Sequence, residues 1–88
     1  MDTFVSDQLK KIFNNLFFID PQAIHPKLNR DDVLAWDSLQ HLNLVLAIEE
    51  EFGVSISPEE SNEMLNFGLI VLLIDEKLKE KSKADVRK

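Results

Sequence analysis

Ser38 is the residue of this 88-residue chain best placed to do chemistry, and its neighbours indicate which chemistry. It follows Trp36-Asp37 and opens a segment of strong helical periodicity that runs to Phe52-Gly53. Asp37 is a good N-cap, and Gln40 three residues later completes a capping-box-like pair. With Asp37 as cap, Ser38 falls at the first helical position, where the backbone does not need its hydroxyl. A serine left free at the positive end of a helix is well placed to carry a phosphate.

The helix that presents this serine has two apolar stripes. At roughly 100° per residue, His41, Leu44, Val45, Ile48 and Phe52 share one side, the expected core face. Leu39, Leu42 and Leu46 fall on nearly the opposite side, beside Asn43 and Glu50. If the first face packs inward, three leucines point outward near the serine and form a docking surface for other proteins. The alternative is a helix buried on two sides. The segment closes with the acidic run Glu49-Glu50-Glu51 and a glycine stop at Gly53.

Asp37-Ser38-Leu39, the helix ending Glu49-Glu50-Glu51-Phe52-Gly53, and Val54-Ser55-Ile56-Ser57-Pro58-Glu59 resemble the acyl carrier protein family. The likeness runs through nearly the whole chain. It implies an all-α fold, a four-helix carrier-protein bundle with a long first loop and a short third helix. It also implies that Ser38 carries a 4′-phosphopantetheine arm, derived from coenzyme A, whose thiol holds an acyl group as a thioester. Such a carrier is not an enzyme. A phosphopantetheinyl transferase attaches the arm, using coenzyme A and a divalent metal, with Asp37 close to that metal. An acyl- or aminoacyl-loading ligase and downstream acyl-transfer enzymes are the remaining partners. The expected partner-binding residues are Asp37, Leu39, Leu42, Leu46, Glu49 and Glu50.

Bulk properties agree with a small folded carrier. Eighty-eight residues with 44% hydrophobic content allow one domain, residues 1–88, with a small core. The absence of cysteine excludes a disulfide framework and a thiolate metal site. The N-terminus lacks the basic and apolar regions of a signal peptide. The longest apolar run, Leu69 to Ile74, is far short of a membrane span. A cytoplasmic monomer is the expectation. Between Asp31 and Glu76 there are eleven carboxylates and no lysine or arginine, whereas 77–88 holds six basic residues. Such a body repels nucleic acid and favours partners with basic patches.

The first helix is expected from Thr3, its cap, to Phe17 or Phe18, with Val5, Leu9, Ile12, Phe13 and Leu16 as its core stripe. Pro21 and Pro26 argue against continuous helix between Asp20 and Trp36. A connection of this length needs anchors, here Ile24, Leu28, Val33 and Leu34. Asp31-Asp32 lacks the remaining spacing of a calcium loop. Ser57-Pro58-Glu59-Glu60 is a helix start with serine cap, proline at the first position and glutamate at the third. The third helix is expected over Pro58 to Met64. Asn66 caps a fourth that runs to about Lys79, and 82–88 is expected as a flexible tail. The Leu69–Ile74 run is apolar all round and needs cover on at least two sides.

No catalytic or metal constellation is present, since neither histidine belongs to a nucleophile motif and the two glycines lie far apart. Departures from the family pattern refine the reading. Housekeeping fatty-acid carriers typically have Gly-Ala before Asp-Ser, where this chain has Ala35-Trp36. They also carry acids two and five residues after the serine, where this chain has Gln40 and Asn43. The pattern resembles the discrete carriers of specialised pathways, with acyl or aminoacyl cargo. The competing reading is an unmodified acidic helical module that holds a partner through Leu39, Leu42 and Leu46. His41, inward and one turn from Ser38, is expected at the mouth of an acyl cavity, the alternative being a boundary histidine bonded to the first loop or to water. Trp36 is expected either to cover the same entrance or to anchor the loop.

Overall fold

Val5, Leu9, Ile12 and Phe13 recur at helical spacing, and all four are buried on one face of helix α1, Thr3–Phe17. The computed structural model describes the backbone of residues 3–86 and the side chains of residues 4–81. Thr3 already lies in the helix rather than capping it, and the position before it is outside the described residues. Phe17 is buried at the end of the stripe, whereas Leu16 is only partly covered. The helix stops at Phe18, whose φ is 59° and whose N–H bonds Asn14 O at 3.0 Å. A left-handed residue after the last turn is a common helix stop, usually supplied by glycine.

The long connection is structured by two short 3-10 turns, Pro21–Ala23 and Arg30–Asp32, each with a side-chain cap from Asp20 or Asn29. Ile24, Leu28 and Val33 tack it onto the core as expected. Leu34 does not; it is fully exposed, and Trp36 is the buried anchor instead. The reason is a turn in which Trp36 N–H bonds Val33 O at 3.0 Å, so residues 33 and 36 face inward and residue 34 faces out. The loop is also tied to the start of the last helix. Phe67 N–H bonds Leu28 O at 2.9 Å and Gly68 N–H bonds Pro26 O at 2.8 Å. Gly68 permits this approach, since a Cβ there would sit 3.0 Å from Pro26 O.

Helix α2 spans Ser38–Phe52, and Gly53 ends it in the left-handed conformation, φ 64°. Its buried residues are Leu44, Val45, Ile48 and Phe52. Helix α3, Pro58–Asn62, is shorter than expected. It has the expected capping box, Ser57 with Glu60, and Lys77 Nζ reaches Glu60 Oε1 at 2.7 Å. Helix α4 spans Phe67–Val86, with Asn66 Oδ1 accepting from Leu69 N–H at 2.8 Å as its cap.

Two expectations for α4 are corrected. Only one side of the apolar run is covered: Ile70, Val71 and Ile74 are buried, while Leu69 and Leu72, which the 100° spacing places on the opposite side of the helix, are exposed. The helix also continues past Lys79, since the Lys, Glu and Ala residues that follow are good helix formers. Its backbone is helical through residue 86, where a flexible tail was expected; residues 87–88 lie outside the described residues. The architecture is all-helical, four helices with no strand among the described residues. Among these, no helix is long and apolar enough to cross a membrane.

Candidate functional site

The backbone turns into α2 at Asp37, which is extended at φ −97° and ψ −173°. Its Oδ1 accepts from Gln40 N–H at 2.9 Å, and its carbonyl accepts from His41 N–H at 2.8 Å. Ser38 is therefore at the first helical position, exposed, with no hydrogen bond from its hydroxyl to any described residue. The amides of Ser38 and Leu39 are likewise left without a partner among the described residues, as the geometry of a helix start requires. An exposed hydroxyl beside two free amides at a helix N-terminus suits a phosphodiester. The residues present thus fit a phosphopantetheine on Ser38.

The capping box expected at this end is only half formed. Gln40 does not reach back to Asp37; its Nε2 donates to Leu16 O at 2.9 Å, and its Oε1 accepts from Asn43 Nδ2 at 2.7 Å. Gln40, held in turn by Asn43, thus ties the serine helix to the end of α1.

The outward stripe is open. Leu39, Leu42 and Leu46 are 67%, 55% and 54% exposed, which decides between the two readings of the helix in favour of a free surface. Glu50 is exposed beside them, but Glu49 is partly buried and engaged. Its Oε2 accepts from Ile56 N–H at 2.8 Å and holds the segment after Gly53 against the helix.

His41 is a structural clamp. Trp36 Nε1 donates to His41 Nδ1 at 3.0 Å, while His41 Nε2 lies 3.0 Å from Ser61 O and 3.1 Å from Ser61 Oγ. An indole N–H can only donate, so Nδ1 carries a lone pair. Nε2 then bears the hydrogen and donates to the Ser61 carbonyl. Both ring nitrogens are committed to the protein, so the expected contact with an arm or cargo gives way to the loop-bonded alternative. Trp36 is buried, stacked on Phe17 with centroids 5.3 Å apart and edge-on to Phe13 at the same distance. It anchors the loop and does not cover an entrance. Neither partnership follows helical spacing: Trp36 lies before the helix, and Ser61 is 20 positions away.

Comparison with known proteins agrees with this geometry. The chain is 34% identical over 67 residues to acyl carrier protein 2, mitochondrial, of Arabidopsis thaliana, a match covering 76% of this chain and 53% of that protein. It is 33% identical over 60 residues to the acyl carrier protein of Thermosynechococcus vestitus, covering 68% and 74% of the two chains. Identity to that of Solidesulfovibrio magneticus is 32% over 73 residues, covering 83% and 94%. A solution structure of a holo acyl carrier protein from Geobacter metallireducens superposes with a TM-score of 0.81 at 30% identity, covering 90% and 91%. No family model matches the chain. A small helical bundle presenting one free serine at a helix start is the architecture of a carrier. The chain belongs to the acyl carrier protein family.

Proposed function

We propose that Ser38 is the attachment residue, carrying 4′-phosphopantetheine, and that the chain serves as the discrete carrier of a specialised pathway. The observation that carries the first part is the state of Ser38: exposed, at the first position of α2, with its hydroxyl and two adjacent amides free. In attachment, a phosphopantetheinyl transferase joins Ser38 Oγ to the pantetheine-side phosphorus of coenzyme A as the P–O bond of the pyrophosphate breaks; adenosine 3′,5′-bisphosphate leaves and the serine hydroxyl gives up its proton. The arm supplies a thiol that holds an acyl or aminoacyl group as a thioester, and loading ligases and acyl-transfer enzymes act on it.

Leu39, Leu42 and Leu46 form the contact these enzymes read, with Asp37 and Glu50 as electrostatic guides toward basic partners. Glu49 contributes charge to the same side while it holds Ile56. Support for a specialised role comes from Gln40 and Asn43, neutral amides spent on each other and on α1. A cytoplasmic setting fits this role, although one relative is named as mitochondrial.

Trapping the loaded species from the native cell and identifying the acyl group by mass spectrometry tests the pathway assignment. A dedicated aminoacyl or modified acyl cargo is expected, and ordinary saturated fatty-acyl chains alone would overturn it. An unmodified module would yield no loaded species at all.

A further inference from the structure

Helix α4 has one side that no described residue covers. Leu69, Leu72, Glu76 and Lys79 recur along it at intervals of three and four residues, and all four are exposed. This stripe changes sign along its length. In its first half Glu63, at the end of α3, joins Glu76, Leu69, Leu72 and Leu73 around a groove of about 240 Å³. In its second half Lys79 stands exposed within a segment, 77–88, that holds six basic residues. Neither Glu76 nor Lys79 has a side-chain partner among the described residues. We propose that this side of α4 docks on the same side of a second copy of the chain, with the two helices antiparallel about a two-fold axis. The product is a weak dimer, where the sequence led to the expectation of a monomer.

The charges identify the occupant and its register. A stripe that is acidic at one end and basic at the other is its own complement once a second copy is turned end for end. In a two-fold contact, residue i of one copy meets residue j of the other, and j meets i. Setting Glu76 against Lys79 of the second copy therefore forms two ion pairs at once, with the axis passing between residues 77 and 78. The same register sets Leu72 opposite position 83 and Leu69 opposite position 86. The backbone of α4 is helical through residue 86, so the paired stretch is about 26 Å long. Each acid-rimmed groove thus meets the basic last turns of the other helix, and the two helix dipoles run in opposite directions.

The contact leaves the serine surface free. His41 of α2 bonds Ser61 at 3.0 Å, and Lys77 of α4 pairs with Glu60 at 2.7 Å, so α3 lies between α4 and the serine helix. Leu39, Leu42 and Leu46 stay open to enzymes while two carriers are joined. With two part-exposed leucines and exposed ion pairs from each copy, the contact is weak and reversible.

Sedimentation velocity and ¹⁵N amide spectra of the unmodified full chain test this, from about 20 µM to about 1 mM. Salt at about 0.15 M screens the long-range repulsion between two chains of net charge −6. The average mass is expected to rise toward twice that of the monomer. Concentration-dependent shifts are expected at Leu69, Leu72, Glu76 and Lys79, and none at Leu39, Leu42 or Leu46. Glu76→Lys alone and Lys79→Glu alone each set like charges opposite one another. Each is expected to weaken association at least about fivefold, as two exposed pairs give way to two repulsions. An equimolar mixture of the two variants again opposes unlike charges at both places and is expected to restore association. Leu72→Lys, at an exposed side chain, puts a positive charge where the basic turns dock and is expected to abolish association with helix content unchanged by circular dichroism. A wild-type chain that stays monomeric to about 1 mM, association that survives Leu72→Lys, or a mixture that associates no better than its components overturns the dimer and leaves the assignment of Ser38 intact.

Discussion

Replacing His41 by phenylalanine tests the clamp that fixes the serine helix to the first loop and to α3. The substitution keeps a ring in the place of the imidazole, whose plane lies within 14° of the indole's with centroids 6.1 Å apart, edge to edge across the hydrogen bond. It removes both hydrogen bonds. Trp36 is 3% exposed, so its Nε1–H has no water to turn to, and a buried donor left unsatisfied costs about 1–3 kcal/mol. The bond to Ser61 is worth about 0.5–1.5 kcal/mol, and the Ser61 carbonyl keeps the Met64 N–H as a donor at 3.2 Å. A total loss of about 2–4 kcal/mol is expected. That is a large part of the stability of about 5–15 kcal/mol typical of a domain. Urea unfolding followed by circular dichroism reads it as a lower midpoint at unchanged slope. In a Trp36→Phe background the indole donor is already gone, and His41→Phe should then cost only the Ser61 bond, giving a coupling of about 1–3 kcal/mol. A loss below about 0.5 kcal/mol, the level of an ordinary surface change, or an additive cycle, refutes the clamp.

Charging the outward stripe, Leu42→Glu or Leu46→Glu, is expected to change stability by no more than about 0.5 kcal/mol while slowing attachment by the transferase. A loss of about 2–5 kcal/mol in unfolding, the size of a disrupted core site, would show the stripe to be buried in solution. Asp37→Ala removes the cap on Gln40 N–H and should cost about 0.5–2 kcal/mol in the same assay, with Asp37→Asn largely preserving it. The Glu60 carboxyl is held below its ordinary value, first by its hydrogen bond to Lys77 and then by the Ser57 amide. Its stabilising contribution is therefore complete above the ordinary glutamate pKa and is lost as pH falls through the lowered one. Glu60→Gln should flatten the acid limb of stability in that window, and an unchanged limb would contradict the assignment.

Features that depend on local signals were legible in the sequence. The caps at Asp37, Ser57 and Asn66 and the stop at Gly53 come from side chains acting on backbone within a few residues, and each forms as read. The two stripes of α2 follow from the 3.6-residue repeat alone. Longer-range features were hidden. Gln40 had a plausible local partner in Asp37, but the free carbonyl of Leu16 at the end of α1 took it, a contact 24 positions away. Leu34 and Trp36 are both apolar, and only the turn closed at Val33 decides which faces the core. The run in α4 is apolar on every side, so its pattern did not mark which side, that of Ile70, Val71 and Ile74, meets the core. At the candidate site, Ser38 and its leucines were legible because they share one helix. The clamp on His41 was not, because it joins three separate segments.

The account turns on Ser38, and peptide-level mass spectrometry after incubation with coenzyme A, magnesium and a broad-specificity phosphopantetheinyl transferase tests it most directly. The wild-type chain is expected to gain one phosphopantetheine, mapped to the peptide containing Ser38. The Ser38→Ala chain is expected to fold with stability within about 0.5 kcal/mol of wild type and to gain none. Attachment that persists in Ser38→Ala, or a folded wild-type chain that takes up no arm, would contradict it.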